Sequence, residues 1–226
     1  MLRINKLFIP LKLRYARRVL PSQGVRILDI GCGNNSCTIT KRWLPGSHYS
    51  GADIQRYNNS DADLASMDEF YLLGIDGSGY DAIPTRSFDL ILIHHVLEHM
   101  PNPAPIIALL CSKLKPGGHI WIAFPSLRSL SLPSGHGTLQ FCDDDTHVYL
   151  PDVREVSNVL LANDIKILHA GRSRDIPRTL IGAALLPWAL VKKLTTGKMS
   201  EGLWHILGFE DHVFGQRKQS AVSSAH

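Results

Sequence analysis

The sequence predicts an α/β fold, a mostly parallel sheet with helices on both faces. Three observations point there. Strand-like and helix-like segments alternate from Val25 onward. Phe88–His94 is a nearly continuous apolar run, as a central strand buried on both faces requires. The first strand-like run ends in Gly31-Cys32-Gly33, a turn whose missing Cβ atoms let backbone approach a ligand closely. At 226 residues, 44% hydrophobic and 19% charged, the chain suits one α/β domain with an elaboration. A formal net charge of +4 is too small for a dedicated nucleic-acid binder.

Residues 1–24 form a basic helical segment. Arg3, Lys6, Lys12, Arg14, Arg17, Arg18 and Arg26 all precede the first acid, Asp29, with leucines between them. Such a start touches anionic lipid or an acidic partner, or it covers one edge of the sheet with its basic face in water. Pro10 interrupts the pattern and favours the second reading. There is no clean apolar run followed by a small-residue cleavage site, so no secretory signal is read. The apolar stretch Leu180–Val191 contains Pro187 and is too short to span a bilayer. Cys32, Cys37, Cys111 and Cys142 form no CxxC pair, and read as reduced thiols of a cytoplasmic protein.

The main domain is assigned to residues 25–217. Val25–Ile30 is the first strand, and Ser36–Leu44 the following helix, stopped by Pro45-Gly46. His48–Asp53 is the second strand. The third falls either at Ala62-Asp63-Leu64 or near Asp81, within an acidic, polar stretch. Phe88–His94 is the fourth. Asn102-Pro103 starts a helix that carries Ile106, Ile107, Leu109, Leu110 and Leu114, and Pro116-Gly117-Gly118 turns it into strand His119–Phe124. A long loop leads to a helix at Asp152, then a strand from about Ile165 to Ala170, and a last strand over Asp211–Gln216. Residues 171–208 make an unusually long connection between those two, read as a cap insertion. Residues 218–226 are read as a frayed tail.

A glycine turn at the carboxyl end of a first strand fits any nucleotide-like ligand. Two features narrow it. The dinucleotide pattern wants a third glycine where Ser36 stands. Asp29, just before the turn, suits a ligand carrying an ammonium group and opposes a pyrophosphate. Asp53, 22 residues beyond Gly31, ends the second strand where a carboxylate can accept both hydroxyls of a ribose.

Val25-Arg-Ile-Leu-Asp-Ile-Gly-Cys-Gly33 resembles motif I of the class I S-adenosylmethionine (SAM)-dependent methyltransferases. Ser87–His99 resembles their fourth strand and following loop, and Leu114–Phe124 their fifth strand. The resemblance is nearest to the small-molecule enzymes of the ubiquinone-biosynthesis-like type 11/23 group. It implies a Rossmann-like, doubly wound, seven-stranded sheet whose last strand is antiparallel. It also implies SAM as cofactor, with Asp29, Gly31, Cys32 and Gly33 around its methionine end and Asp53 and Ile54 at the ribose and adenine. His94 is then expected to line the cofactor or the reacting face, and Asp63 or Asp81 to meet the adenine amine. Asn35 stands where a third glycine is common in this motif, and Asn tolerates unusual backbone angles.

His94, His95, Glu98 and His99 raise the question of a metal, but Pro101 breaks the segment at once and no metal is expected. His147, in a segment that borders the acceptor pocket of the group, is the expected substrate contact or general base, with His136 a weaker candidate. The chain has no Pro-Pro dipeptide, so the amino-methyltransferase motif is missing. The acceptor is therefore expected to be a small molecule methylated at oxygen or carbon. The 171–208 insertion, with Trp188 and Trp204, is expected to cap a bulky substrate, or else to pack as core or make a homodimer contact. Residues 1–20 or 178–193 are the candidates for contact with a membrane surface. The rivals are a nicotinamide-dependent oxidoreductase and a non-catalytic relative that binds a partner.

Overall fold

The structure is a computed structural model that describes residues 9–21, 23–134, 139–196 and 206–219. Seven strands form one sheet: β1 (Gln23–Ile30), β2 (Gly46–Asp53), β3 (Glu69–Leu72), β4 (Phe88–His94), β5 (Leu114–Pro125), β6 (Ile165–Arg172) and β7 (Glu210–Arg217). Their order is β3-β2-β1-β4-β5-β7-β6. The first five pair in parallel, whereas β7 runs antiparallel to both β5 and β6. The strand order reverses between β1 and β4, which opens a crevice at their carboxyl ends.

Alternation along the strands feeds two cores, because successive side chains leave opposite faces. On one face Leu28, Ile30, Ile91, Ile93, Ile120 and Ile122 meet α4 (Ala104–Lys113) and α5 (Val153–Ala162). On the other, Ile27, Leu90, Leu92, Trp121 and Phe214 meet α1 (Leu11–Val19) and α2 (Ser36–Trp43). Asp152 caps α5 by accepting the N–H groups of Arg154 and Glu155.

Three expectations need correction. The third strand is neither at Ala62–Leu64 nor at Asp81. Ala62–Leu64 lies in the short helix α3 (Asp61–Ser66), capped by the Ser60 hydroxyl, and Asp81 lies in a 3₁₀ turn. The strand is Glu69–Leu72, four residues at the sheet edge without a buried side chain. The N-terminal helix covers a face of the sheet rather than an edge. Its Tyr15 ring lies 5.2 Å from Trp121 on β5 and from His169 on β6, and 5.5 Å from Phe214 on β7. Lys218, expected to begin the free tail, donates its N–H to the Asp164 carbonyl and its Nζ to the Asp164 carboxylate.

The register places the ends that matter together. Pro125 at the end of β5 pairs with Glu210 at the start of β7, and Arg172 at the end of β6 pairs with Asp211. The 173–209 connection therefore leaves and re-enters the sheet at the end where β1, β2 and β4 finish. It contains α6 (Ile176–Ala184) and α7 (Leu186–Thr196).

Leu13 of α1 is fully buried. Leu13→Ala should cost about 2–5 kcal/mol of stability in urea unfolding. A loss below about 0.5 kcal/mol would show that α1 is not part of the domain core.

Candidate active site

At the end of β1 the chain turns through Gly31, whose φ of +74° only glycine adopts without strain. A Cβ there would run into Val96. At Gly33 a Cβ would sit 2.7 Å from the Tyr57 carbonyl oxygen, so this glycine lets the loop after β2 close onto the turn. Asn34 and Asn35 follow in the left-handed region, at φ of 56° and 57°, and Ser36 opens α2.

Asp29, only 1% exposed, anchors this turn. Its Oδ2 accepts the Ser36 hydroxyl at 2.6 Å and the Tyr49 hydroxyl at 2.7 Å. Lys12 of α1 reaches the same spot, 3.6 Å from Asp29 and donating to Ser36 Oγ at 3.1 Å. The other oxygen, Oδ1, is buried without a partner. Cys32 is buried; burial, then Asp29 and Asp53, push its thiol up to about 12. Asp53 accepts the Ile54 N–H at 2.7 Å and is held above the usual carboxylate range by burial. Ile54 beside it is half exposed.

The two candidate adenine acids part company. Asp63 is fully buried; its Oδ1 accepts the Thr38 N–H at 2.7 Å and its Oδ2 accepts Asn59 Nδ2 at 2.8 Å. Its carboxylate clasps α2 to the loop before α3. Asp81 is exposed.

A cavity of about 260 Å³ opens beside the turn, between α1, the end of β4 and the start of α6. Leu11, Trp121 and Phe209 give it apolar wall, and Lys12, Arg178, His94 and Glu210 give it charge. Asp175, 1% exposed, latches two walls together: Arg14 of α1 lies 3.2 Å from it and Arg178 of α6 3.3 Å.

His94 sits on the cavity wall with 40% of its side chain exposed. Its Nε2 lies 3.0 Å from Glu210 Oε2, and His95 Nε2 lies 3.0 Å from the same oxygen. His95 Nδ1 lies 3.1 Å from Glu98, which is buried. His95 holds a left-handed φ of 55° and stacks on Phe209. Burial depresses both imidazoles, but the two carboxylate bonds of His95 carry it up to about 10, while His94 stays below the usual range. Burial would raise Glu210; hydrogen bonds from the two imidazoles hold it well below the carboxylate range instead.

His147 does not line this cavity. Its Nδ1 donates to the Phe141 carbonyl at 2.7 Å, and its ring lies 4.9 Å from that of His99. The helical spacing of His95 and His99 brings them to no common partner: His95 turns to Glu210 and His99 to Thr146. His136, Leu203 and Trp204 lie outside the described residues. Trp188, 58% exposed, is not a wall of the cavity either. Leu180, Leu185 and Val191 are likewise exposed.

Sequence reasoning missed Lys12, Asp175, Arg178 and Glu210. The one signal for them was the basic bias of the N-terminal segment, which demands acids somewhere.

The methyltransferase domain family of type 23 matches residues 3–170. The chain belongs to that family, among the class I SAM-dependent methyltransferases. The match begins within the N-terminal segment, so α1 falls inside the family's domain. It also sets aside the nicotinamide-dependent reading. A ubiquinone biosynthesis O-methyltransferase of Ralstonia nicotianae is 29% identical over 117 residues, 50% of this chain and 49% of that protein. One of Burkholderia multivorans is 29% identical over 156 residues, 64% and 66% of the two chains. The chain thus spans about half to two thirds of the length of these curated relatives. An S-adenosylmethionine dependent methyltransferase from Mesorhizobium loti shares the fold, with a TM-score of 0.59, 17% identity, and coverage of 93% of this chain and 100% of that one.

The residues present fit the family's cofactor. The orphaned Asp29 Oδ1 is a buried acceptor that awaits a donor such as an ammonium group. Gly31 and Gly33 let Val96 and the Tyr57 carbonyl pack directly against the turn and so fix its shape, and Asp53 keeps acceptor capacity at the end of β2.

The state of His95 makes stability depend on pH. A group raised on folding adds stability that is fully present below its unfolded value of about 6.5 and is lost as pH rises toward about 10. The difference in urea midpoint between the wild type and His95→Gln should shrink across that window. A difference that stays constant with pH would show that His95 is not charged in the folded chain.

Proposed function

We propose that this chain transfers a methyl group from SAM to a hydroxyl of a small-molecule acceptor. One observation carries the reading: His94, the last residue of β4, stands at the cofactor end of the sheet and also walls the cavity of about 260 Å³. Bound SAM supplies an activated methyl on a sulfonium. What the chain must add is alignment, exclusion of water and a place for the acceptor's proton. The cavity suits the task, with an apolar floor at Trp121 and Phe209 and a polar rim at Lys12, His94 and Arg178. The names of the curated relatives favour oxygen over carbon as the acceptor atom.

The four thiols are unpaired, three of them buried, which supports work in the reducing cytoplasm. No helix among the described residues is long and apolar enough to cross a membrane. The exposed apolar residues of α6 and α7 support a cap over the acceptor mouth, with a homodimer or membrane-surface contact as the other uses of that face.

The test is direct. Purified chain, SAM and a panel of catechols and phenols should yield methyl ethers by mass spectrometry. SAM binding without transfer to any of them would favour a partner-binding relative. For the cofactor itself, Asp53→Ala should weaken SAM binding by about 1–3 kcal/mol in calorimetry, through lost charge-assisted hydrogen bonds. Unchanged affinity would remove Asp53 from the ribose role.

A further inference from the structure

We propose that His94 is the general base that takes the acceptor's hydroxyl proton, and that Glu210 is the positioning residue that fixes its tautomer. The inference rests on the O-methyl reading above and replaces His147 as the expected base.

The hydrogen bonds set the tautomer. A carboxylate only accepts, so the 3.0 Å contact between His94 Nε2 and Glu210 Oε2 places the ring's proton on Nε2. Nδ1 is then the lone-pair nitrogen of a ring that is 40% exposed and walls the cavity. His147 has the opposite arrangement, with Nδ1 committed to a loop carbonyl and no place on that wall.

Glu210 does not swing freely. His95 donates to it from Nε2 and to Glu98 from Nδ1, so His95 uses both nitrogens as donors and carries a full positive charge. Two carboxylates and one imidazolium leave a net charge of −1 beside a neutral His94, and a proton on His94 cancels it. The groups facing His94 are Glu210 of β7, His95 at the end of β4, Lys12 of α1, and the Asp175–Arg178 pair at the start of α6. Lys12 is itself paired to Asp29. Burial keeps His94 below the usual imidazole range, hence neutral and ready to accept at neutral pH.

The step balances. The acceptor O–H bond breaks and its proton goes to His94 Nδ1. The oxygen electron pair forms the new O–CH₃ bond. The S–CH₃ bond breaks with its electrons left on sulfur, and neutral S-adenosylhomocysteine departs. The positive charge passes from the sulfonium to the His94 imidazolium, which returns its proton to water after release.

The experiment has a structural and a kinetic arm. In ¹⁵N NMR of the full chain, His94 should show the Nε2–H tautomer at pH 7 and titrate below the usual imidazole value. Glu210→Gln should erase that tautomer preference. A protonated or Nδ1–H His94 at pH 7 would overturn the assignment. For kinetics, catechol and 4-nitrocatechol, whose more acidic hydroxyl is largely ionised on the alkaline side of neutral pH, are methylated in parallel there. His94→Gln should lower kcat by about 100-fold or more on catechol. On 4-nitrocatechol it should lower kcat less than tenfold, with SAM affinity within twofold of wild type. Glu210→Gln should lower kcat more than it raises KM for catechol and should move the acid limb of the pH profile. Equal losses of His94→Gln on both acceptors would sink the base role alone. A wild type that binds SAM and methylates neither would overturn the O-methyl reading itself.

Discussion

A carboxylate buried inside a protein needs donors within reach, and this chain buries several at one end of its sheet. Asp29, Asp175, Glu98 and Glu210 are each at most 9% exposed. The donors come from segments far apart in sequence: Lys12 to Asp29, Arg14 to Asp175 across 161 residues, and His94 and His95 to Glu210 across more than 110. This demand explains the basic start of the chain. Charges that read from sequence as a face for water, lipid or an acidic partner are partly consumed inside, and they hold α1 against the turn after β1.

Such pairs add little net stability relative to an apolar filling, yet losing one partner costs about 3–5 kcal/mol because the other charge stays buried and unpaired. Their effect is therefore geometric more than cohesive. The Asp175 latch sets α1 and α6 on opposite sides of the cavity. The shared Glu210 ties the start of β7 to the end of β4, two strands that are not neighbours in the sheet. Cohesion comes from the two apolar cores, where Trp121, Phe88, Phe124 and the branched residues of β1, β4 and β5 are almost fully buried.

That division marks what the sequence could reveal. Strands buried on both faces announce themselves as β-branched and apolar runs, so β1, β4 and the core of β5 were legible, as were Gly31, Gly33 and Asp53 from their place at strand ends. β3 was not, because an edge strand of Glu-Phe-Tyr-Leu needs no buried face. The start of β5 was hidden too: Lys115-Pro-Gly-Gly118 has the composition of a turn, yet the strand begins at Leu114, with the register shifting between Phe88 and Leu90. Glu210 and Asp175 were invisible for a different reason. An acid near a strand or helix start looks like a surface residue until the fold brings two imidazoles or two guanidinium groups to it. His147 misled because it rests on the resemblance of its segment to one bordering an acceptor pocket, and such a resemblance carries no information about which way a ring hydrogen-bonds; its Nδ1 turns to the Phe141 carbonyl.

The pair His94-His95 shows how neighbouring residues of one type acquire opposite duties. The two rings stand edge to face, 4.6 Å apart. What separates them is the number of carboxylates each can reach. His95 turns through a left-handed backbone angle, an arrangement that histidine tolerates better than most residues, and this turn lets its two nitrogens bridge Glu98 and Glu210. His94 continues the strand and reaches Glu210 alone. Each imidazolium must repay its own burial, and one charge-assisted bond does so less completely than two. The structural ring is therefore the charged one. The ring left neutral is the one at the cavity, and groups driven apart in this way divide acid from base in an active site.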